Sequence, residues 1–123
     1  MANQKILIVE DEESIREMYA FKLKSTEFEV KTAVNGRAGL EVAKSWLPDL
    51  ILLDIMMPIM PGDKMLEYLR ESNWGADIRV IILTNISKSE APSVLRFLNV
   101  DRYIVKAHTT PSEVLKLIEE VLN

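Results

Sequence analysis

The sequence predicts an α/β fold: a doubly wound, five-stranded parallel sheet in a (βα)5 alternation, with strand order 2-1-3-4-5. Three observations predict it. The runs 5–9, 50–53 and 78–83 are strongly apolar and lack polar alternation, which marks strands buried on both faces. Apolar residues at helical spacing fill the intervals between strands. No composition break, repeat or linker divides the 123 residues, a length that suits one core. Right-handed crossovers then leave few strand orders, and 2-1-3-4-5 is a common one for five strands. Residues 1–123 are accordingly expected to form a single domain.

Each element has its own signal. Strand 5–9 ends on Glu10-Asp11, and Glu12 and Glu13 follow. Acidic side chains favour the positive end of a helix dipole, so a helix is expected over about 14–24. Residues 28–34 are rich in β-branched types and predict a short strand. Asn35-Gly36 turns the chain into a helix reaching about Trp46, with Val42, Ala43 and Trp46 on one face. Pro48-Asp49 stops it and launches Leu50-Ile-Leu-Leu53, which ends on Asp54. Pro58, Pro61 and Gly62 make a loop, and a helix over about 63–71 carries Met65, Leu66 and Leu69 inward. Asn73 and Gly75 end it. The strand 78–83 ends on Thr84-Asn85. A helix is expected over about 89–98, with Pro92 near its start where a missing N–H matters least. The short strand 103–105 ends on Lys106, and Pro111 opens a last helix with Val114, Leu117, Ile118 and Val121 at core spacing.

Composition excludes several function classes. The net charge of −4 argues against a surface built to grip nucleic acid. There is no cysteine, so disulfides and thiolate metal sites are ruled out. No apolar run approaches the length of a membrane span, and no secretory leader is expected before the first strand. A cytoplasmic location fits these features.

The strand ends carry the chemistry. Parallel strands place all their C-terminal ends at one edge, where open α/β sheets bind ligands. Glu10, Asp11, Asp54, Thr84 and Lys106 should therefore converge. Clustered carboxylates repel one another and favour a divalent cation; hard oxygen donors without thiol or imidazole point to Mg2+ or Mn2+. A lysine supplies positive charge to phosphoryl oxygens, and a threonine hydroxyl can donate to another. Asp54, the most central carboxylate, is placed to act as a nucleophile and hold a phosphoryl group.

At these residues the sequence resembles the receiver domain of two-component response regulators, along essentially its whole length. The motif elements are Glu10-Asp11, Asp54-Ile-Met-Met-Pro58, Thr84 and Tyr103-Ile-Val-Lys106. The resemblance implies a flavodoxin-like, CheY-like fold and a role for each position. Asp54 matches the phospho-acceptor. Asp11, with Glu10 behind it, matches the Mg2+ site, to which Met56 would add a backbone carbonyl. Lys106 matches the lysine that pairs with the acceptor and then the phosphoryl group. Thr84 matches the hydroxyl that swings toward that group, and Tyr103 the aromatic that turns inward with it. Three departures stand out. Ala107 follows Lys106 where the family usually has proline in a cis peptide, and a trans bond is expected before alanine. Asn85 replaces a usually small residue after the threonine. Met56 and Ile86 are apolar at positions that influence access of hydrolytic water, which predicts a long-lived phosphoryl group.

The implied function is a signalling switch rather than an enzyme acting on a separate substrate. A histidine kinase or phosphotransfer protein would supply the phosphoryl group, docking near Ile15, Met18, Ala107 and His108. Output would reach an unidentified downstream protein through 89–98, 101–105 and the last helix. A homodimer formed on phosphorylation is an open alternative there, with Asp101 and Arg102 as candidates. No output domain, direct nucleic-acid contact or membrane contact is expected from this segment. The alternatives are a degenerate receiver that only binds partners and, less favoured, a small Mg2+-dependent phosphatase. Aspartate-nucleophile phosphatases need a second aspartate two residues after the first, where this chain has Met56. A nucleotide or flavin carrier is disfavoured because the acidic segment after the first strand would repel phosphate.

Overall fold

The computed structural model describes residues 3–123. Five parallel strands form one sheet in the order β2-β1-β3-β4-β5. They are β1 (Lys5–Val9), β2 (Glu29–Ala33), β3 (Leu50–Leu53), β4 (Arg79–Thr84) and β5 (Arg102–Val105). Four α-helices cover them: α1 (Glu13–Lys24), α2 (Gly36–Trp46), α3 (Gly62–Glu71) and α4 (Pro111–Leu122).

The unbroken apolar runs work because both faces of the sheet are covered. Leu7, Val9, Ile51, Leu53, Val80 and Ile82 meet Ala43 of α2 and Met65, Leu66 and Leu69 of α3. The alternate residues Ile6, Ile8, Leu50, Leu52, Ile81, Leu83 and Ile104 meet Tyr19, Ala20 and Leu23 of α1 and Val114 and Ile118 of α4. Burying side chains of this size stabilises by about 1.5–3 kcal/mol each before the entropy cost is counted.

Helix starts follow local chemistry. The Asn35 side chain accepts the Ala38 N–H at 2.9 Å. Thr110 and Glu113 form a reciprocal capping box at the start of α4, with Pro111 at its first position.

One expected element is different. The 89–98 helix is absent; two short 3-10 turns, Lys88–Glu90 and Ser93–Phe97, carry the β4–β5 crossover instead. Between them Ala91 (φ −66°, ψ 151°) and Pro92 (φ −54°, ψ 129°) are extended. Proline pushes its predecessor out of the α region, so a continuous helix cannot cross this point. The Arg70 guanidinium takes the carbonyls of Leu98 and Asn99 at 2.7 and 2.9 Å, fixing the far end of the crossover to α3. The same guanidinium also donates to the Gly75, Ala76 and Ile78 carbonyls.

Candidate functional site

Strand register assembles the site. Val9 pairs with Leu53, and the Asp54 N–H donates to the Val9 carbonyl at 3.1 Å. Glu10 and Asp54 therefore leave neighbouring strands at one level. Thr84 pairs with Val105, so Lys106 follows one step beyond. Glu10, Asp54 and Lys106 also continue the alternation of Ile8, Leu52 and Ile104, which share the face covered by α1 and α4. That shared parity lets three side chains from distant parts of the chain meet.

The Lys106 ammonium donates to Glu10 Oε1 at 2.6 Å and to Asp54 Oδ2 at 3.1 Å. All three side chains are buried, at 10%, 4% and 7% exposure respectively. The remaining oxygens are also engaged: Glu10 Oε2 accepts the Glu12 N–H and Asp54 Oδ1 the Met56 N–H. Burial pushes the Glu10 carboxyl above its usual range, and this outweighs the lowering by its bond from Lys106. Burial alone would lower the Lys106 ammonium, yet Glu10 and Asp54 together hold it above its usual value.

Asp11 is exposed and completes a group with Glu10 and Asp54 whose oxygens lie within 4.8 Å of one another. Three hard oxygen donors at this spacing fit a divalent cation of the Mg2+ type. Thr84 Oγ1 is buried without a hydrogen-bond partner, among the described residues. An unpaired buried hydroxyl is costly, so it suits a polar group arriving at the mouth.

Other candidate residues are placed as follows. Tyr103 is half-buried and donates from Oη to the Ile86 carbonyl at 2.7 Å. Burial, and then the Asp54 charge, raise its phenol above the usual range. Met56 lies in the loop after Asp54 and is 65% exposed. Asn85, Ala107 and His108 are exposed around the rim, and Ile15 and Ile86 are partly buried. No cis peptide occurs among the described residues, so Lys106–Ala107 is trans. Asp101 is occupied within the fold: its carboxylate accepts the Val80 N–H at 2.8 Å and pairs with Arg79 at 3.1 Å.

Other residues shape the site without having been site candidates in the sequence. Gly62 lies against the chain at the acceptor; a Cβ there would collide with the Asp54 carbonyl oxygen. Its N–H donates to the Ile55 carbonyl, closing the loop over Asp54. Gly36 donates likewise to the Met60 carbonyl, joining that loop to α2. Arg16 Nη1 reaches back to the carbonyls of Glu10 and Asp11 at 3.0 and 3.3 Å. The only hint of it in the sequence is a cation in the second turn of α1, near the positive end of the dipole.

Comparison with known proteins settles the family. The model of the response regulator receiver domain matches residues 6–119. The chain belongs to that family. Among its relatives, the alkaline phosphatase synthesis transcriptional regulatory protein PhoP of Bacillus subtilis is 33% identical over 121 residues, covering 98% of this chain and 49% of that protein. The phosphate regulon transcriptional regulatory protein PhoB of Pseudomonas aeruginosa is 36% identical, covering 99% of this chain and 53% of the relative. The receiver domain thus spans about half the length of these regulators. The solved structure of the chemotaxis protein CheY4 of Vibrio cholerae superposes with a TM-score of 0.90 at 30% identity, covering 98% of this chain and all of the other. The fold of this receiver domain, strand order included, is that of a CheY-like protein.

Proposed function

We propose that this receiver domain accepts a phosphoryl group on Asp54 from a histidine kinase or phosphotransfer protein and thereby switches a protein-binding surface. The observation that carries the reading is the buried triad of Glu10, Asp54 and Lys106, with the unpartnered hydroxyl of Thr84 at the end of the neighbouring strand β4. An Asp54 carboxylate oxygen attacks the donor phosphorus. A P–O bond forms as the P–N bond to the donor histidine breaks, and the electron pair stays on the imidazole nitrogen, which takes up a proton. Lys106 neutralises charge on the phosphoryl oxygens, and Thr84 donates to another. Asp11, Asp54, the Met56 carbonyl and Glu10 would hold Mg2+. Bound there, the cation supplies charge neutralisation for the incoming phosphoryl group.

The switch reading is supported by the position of Tyr103. Its hydroxyl holds the Ile86 carbonyl, two residues past Thr84. A Thr84 side chain drawn toward a phosphoryl group moves the segment that Tyr103 grips. The crossover and β5 are then biased toward a second arrangement that a target protein can select.

Intact mass after incubation with Mg2+ and acetyl phosphate tests this. Gain of one phosphoryl group, absent without Mg2+ and absent in Asp54→Ala, is expected. Steady release of inorganic phosphate with no adduct in either protein would replace the switch with a phosphatase.

A further inference from the structure

We infer that Arg16 is a positioning residue for the cation site, holding the backbone from which Glu10 and Asp11 project. The inference rests on the reading of those carboxylates as a Mg2+ site. Asp11 is exposed, and among the described residues its carboxylate accepts no hydrogen bond. Only its backbone therefore fixes the point from which that side chain projects. The β1–α1 loop has no glycine or proline to fix its course, and Glu12, at the helix start, makes no capping bond with its side chain. Arg16 supplies the missing constraint. One nitrogen, Nη1, carries two hydrogens and reaches both the Glu10 and the Asp11 carbonyl, at 3.0 and 3.3 Å. The Arg16 N–H closes the first turn on Glu12 at 2.9 Å. Both bonds leave a nitrogen one bond further along the side chain than a lysine ammonium, so a lysine at this position falls short of the double contact.

The placement is not explained by helix stability, since a cation near the positive end of a dipole is unfavourable. Nor does charge alone explain it. A guanidinium bound to the Glu10 and Asp11 carbonyls adds positive charge to the loop that carries those ligands, so removing it on electrostatic grounds would tighten Mg2+ binding. A positioning role predicts the opposite sign. Groups that orient metal ligands typically change affinity by about tenfold or more when removed.

Titration calorimetry with Mg2+ alone, on the whole chain, separates these roles. Arg16→Met, Arg16→Lys and Asp11→Asn are compared with the parent, each shown to be folded by cooperative urea unfolding. Arg16→Met is expected to raise the Mg2+ Kd by about tenfold. Arg16→Lys keeps the charge but not the double contact, and is also expected to weaken binding. Tighter or equal binding by Arg16→Met, or parent-like binding by Arg16→Lys, overturns the inference. If the parent does not bind Mg2+, or Asp11→Asn binds as the parent does, the cation-site reading itself falls, and with it the role of Arg16.

Discussion

Replacing Lys106 with methionine leaves two buried carboxylates facing each other with no cation between them. The ammonium lies 2.6 Å from Glu10 and 3.1 Å from Asp54. At an effective dielectric near 20 these contacts are worth about 6 and about 5 kcal/mol of gross attraction. The carboxylate oxygens lie within 4.8 Å of each other, so their gross repulsion is at least about 3 kcal/mol on the same scale. Desolvating the lysine offsets much of the attraction, and breaking a buried pair by removing one partner typically costs about 3–5 kcal/mol net. That is a large share of the roughly 5–15 kcal/mol available to a domain. Urea unfolding at pH 7.5 with a chelator present should show a midpoint lower by about 2 M, for a slope of about 2 kcal/mol per M. Added Mg2+ should restore part of the loss, because a cation that binds only the folded state stabilises it. Acid should restore part as well. The Glu10 carboxyl is already raised by burial and rises further without its lysine. A carboxyl raised in the folded state favours folding as it protonates, so the deficit of the variant shrinks as pH falls toward 5. A variant as stable as the parent, or a deficit insensitive to both pH and Mg2+, would refute the electrostatic reasoning.

Three further outcomes are expected. Arg70→Met removes the hydrogen bonds to the Gly75, Ala76, Ile78, Leu98 and Asn99 carbonyls, and should cost about 3 kcal/mol in urea unfolding. Ile59 is a β-branched residue at φ 69° and is 75% exposed, so Ile59→Asn should stabilise by about 1 kcal/mol in the same assay. Met56→Asn replaces an apolar side chain beside the acceptor with one that can hydrogen-bond water, and should shorten the lifetime of the phosphorylated protein, followed by intact mass after the donor is removed.

The sheet was legible because its strands are buried on both faces and so read as unbroken apolar runs. Leu50-Ile-Leu-Leu53 needs no long-range information to be recognised, and Asp54 at its end follows from the strand's length. That Glu10, Asp54 and Lys106 leave their strands at one edge followed from parallel topology. What did not follow was which partners would pair. Glu10 is engaged by Lys106, 96 residues away, and that contact depends on register and side-chain parity. The crossover was misread for a local reason and a tertiary one. Val94, Leu95 and Leu98 have helical spacing, but Pro92 holds Ala91 extended. Tyr103 and Arg70 then take the backbone carbonyls of Ile86, Leu98 and Asn99. Arginine contacts of this kind join side chain to backbone across the fold and leave no periodicity to find.

Chemical trapping of the acceptor tests the central claim most directly. Borohydride reduces an aspartyl phosphate to homoserine. Peptide mass spectrometry after reaction with Mg2+ and acetyl phosphate, followed by this reduction, should find homoserine at position 54. Homoserine at Asp11 or elsewhere, or unreduced Asp54 in protein that has gained a phosphoryl group, would contradict the assignment of Asp54 as the phospho-acceptor.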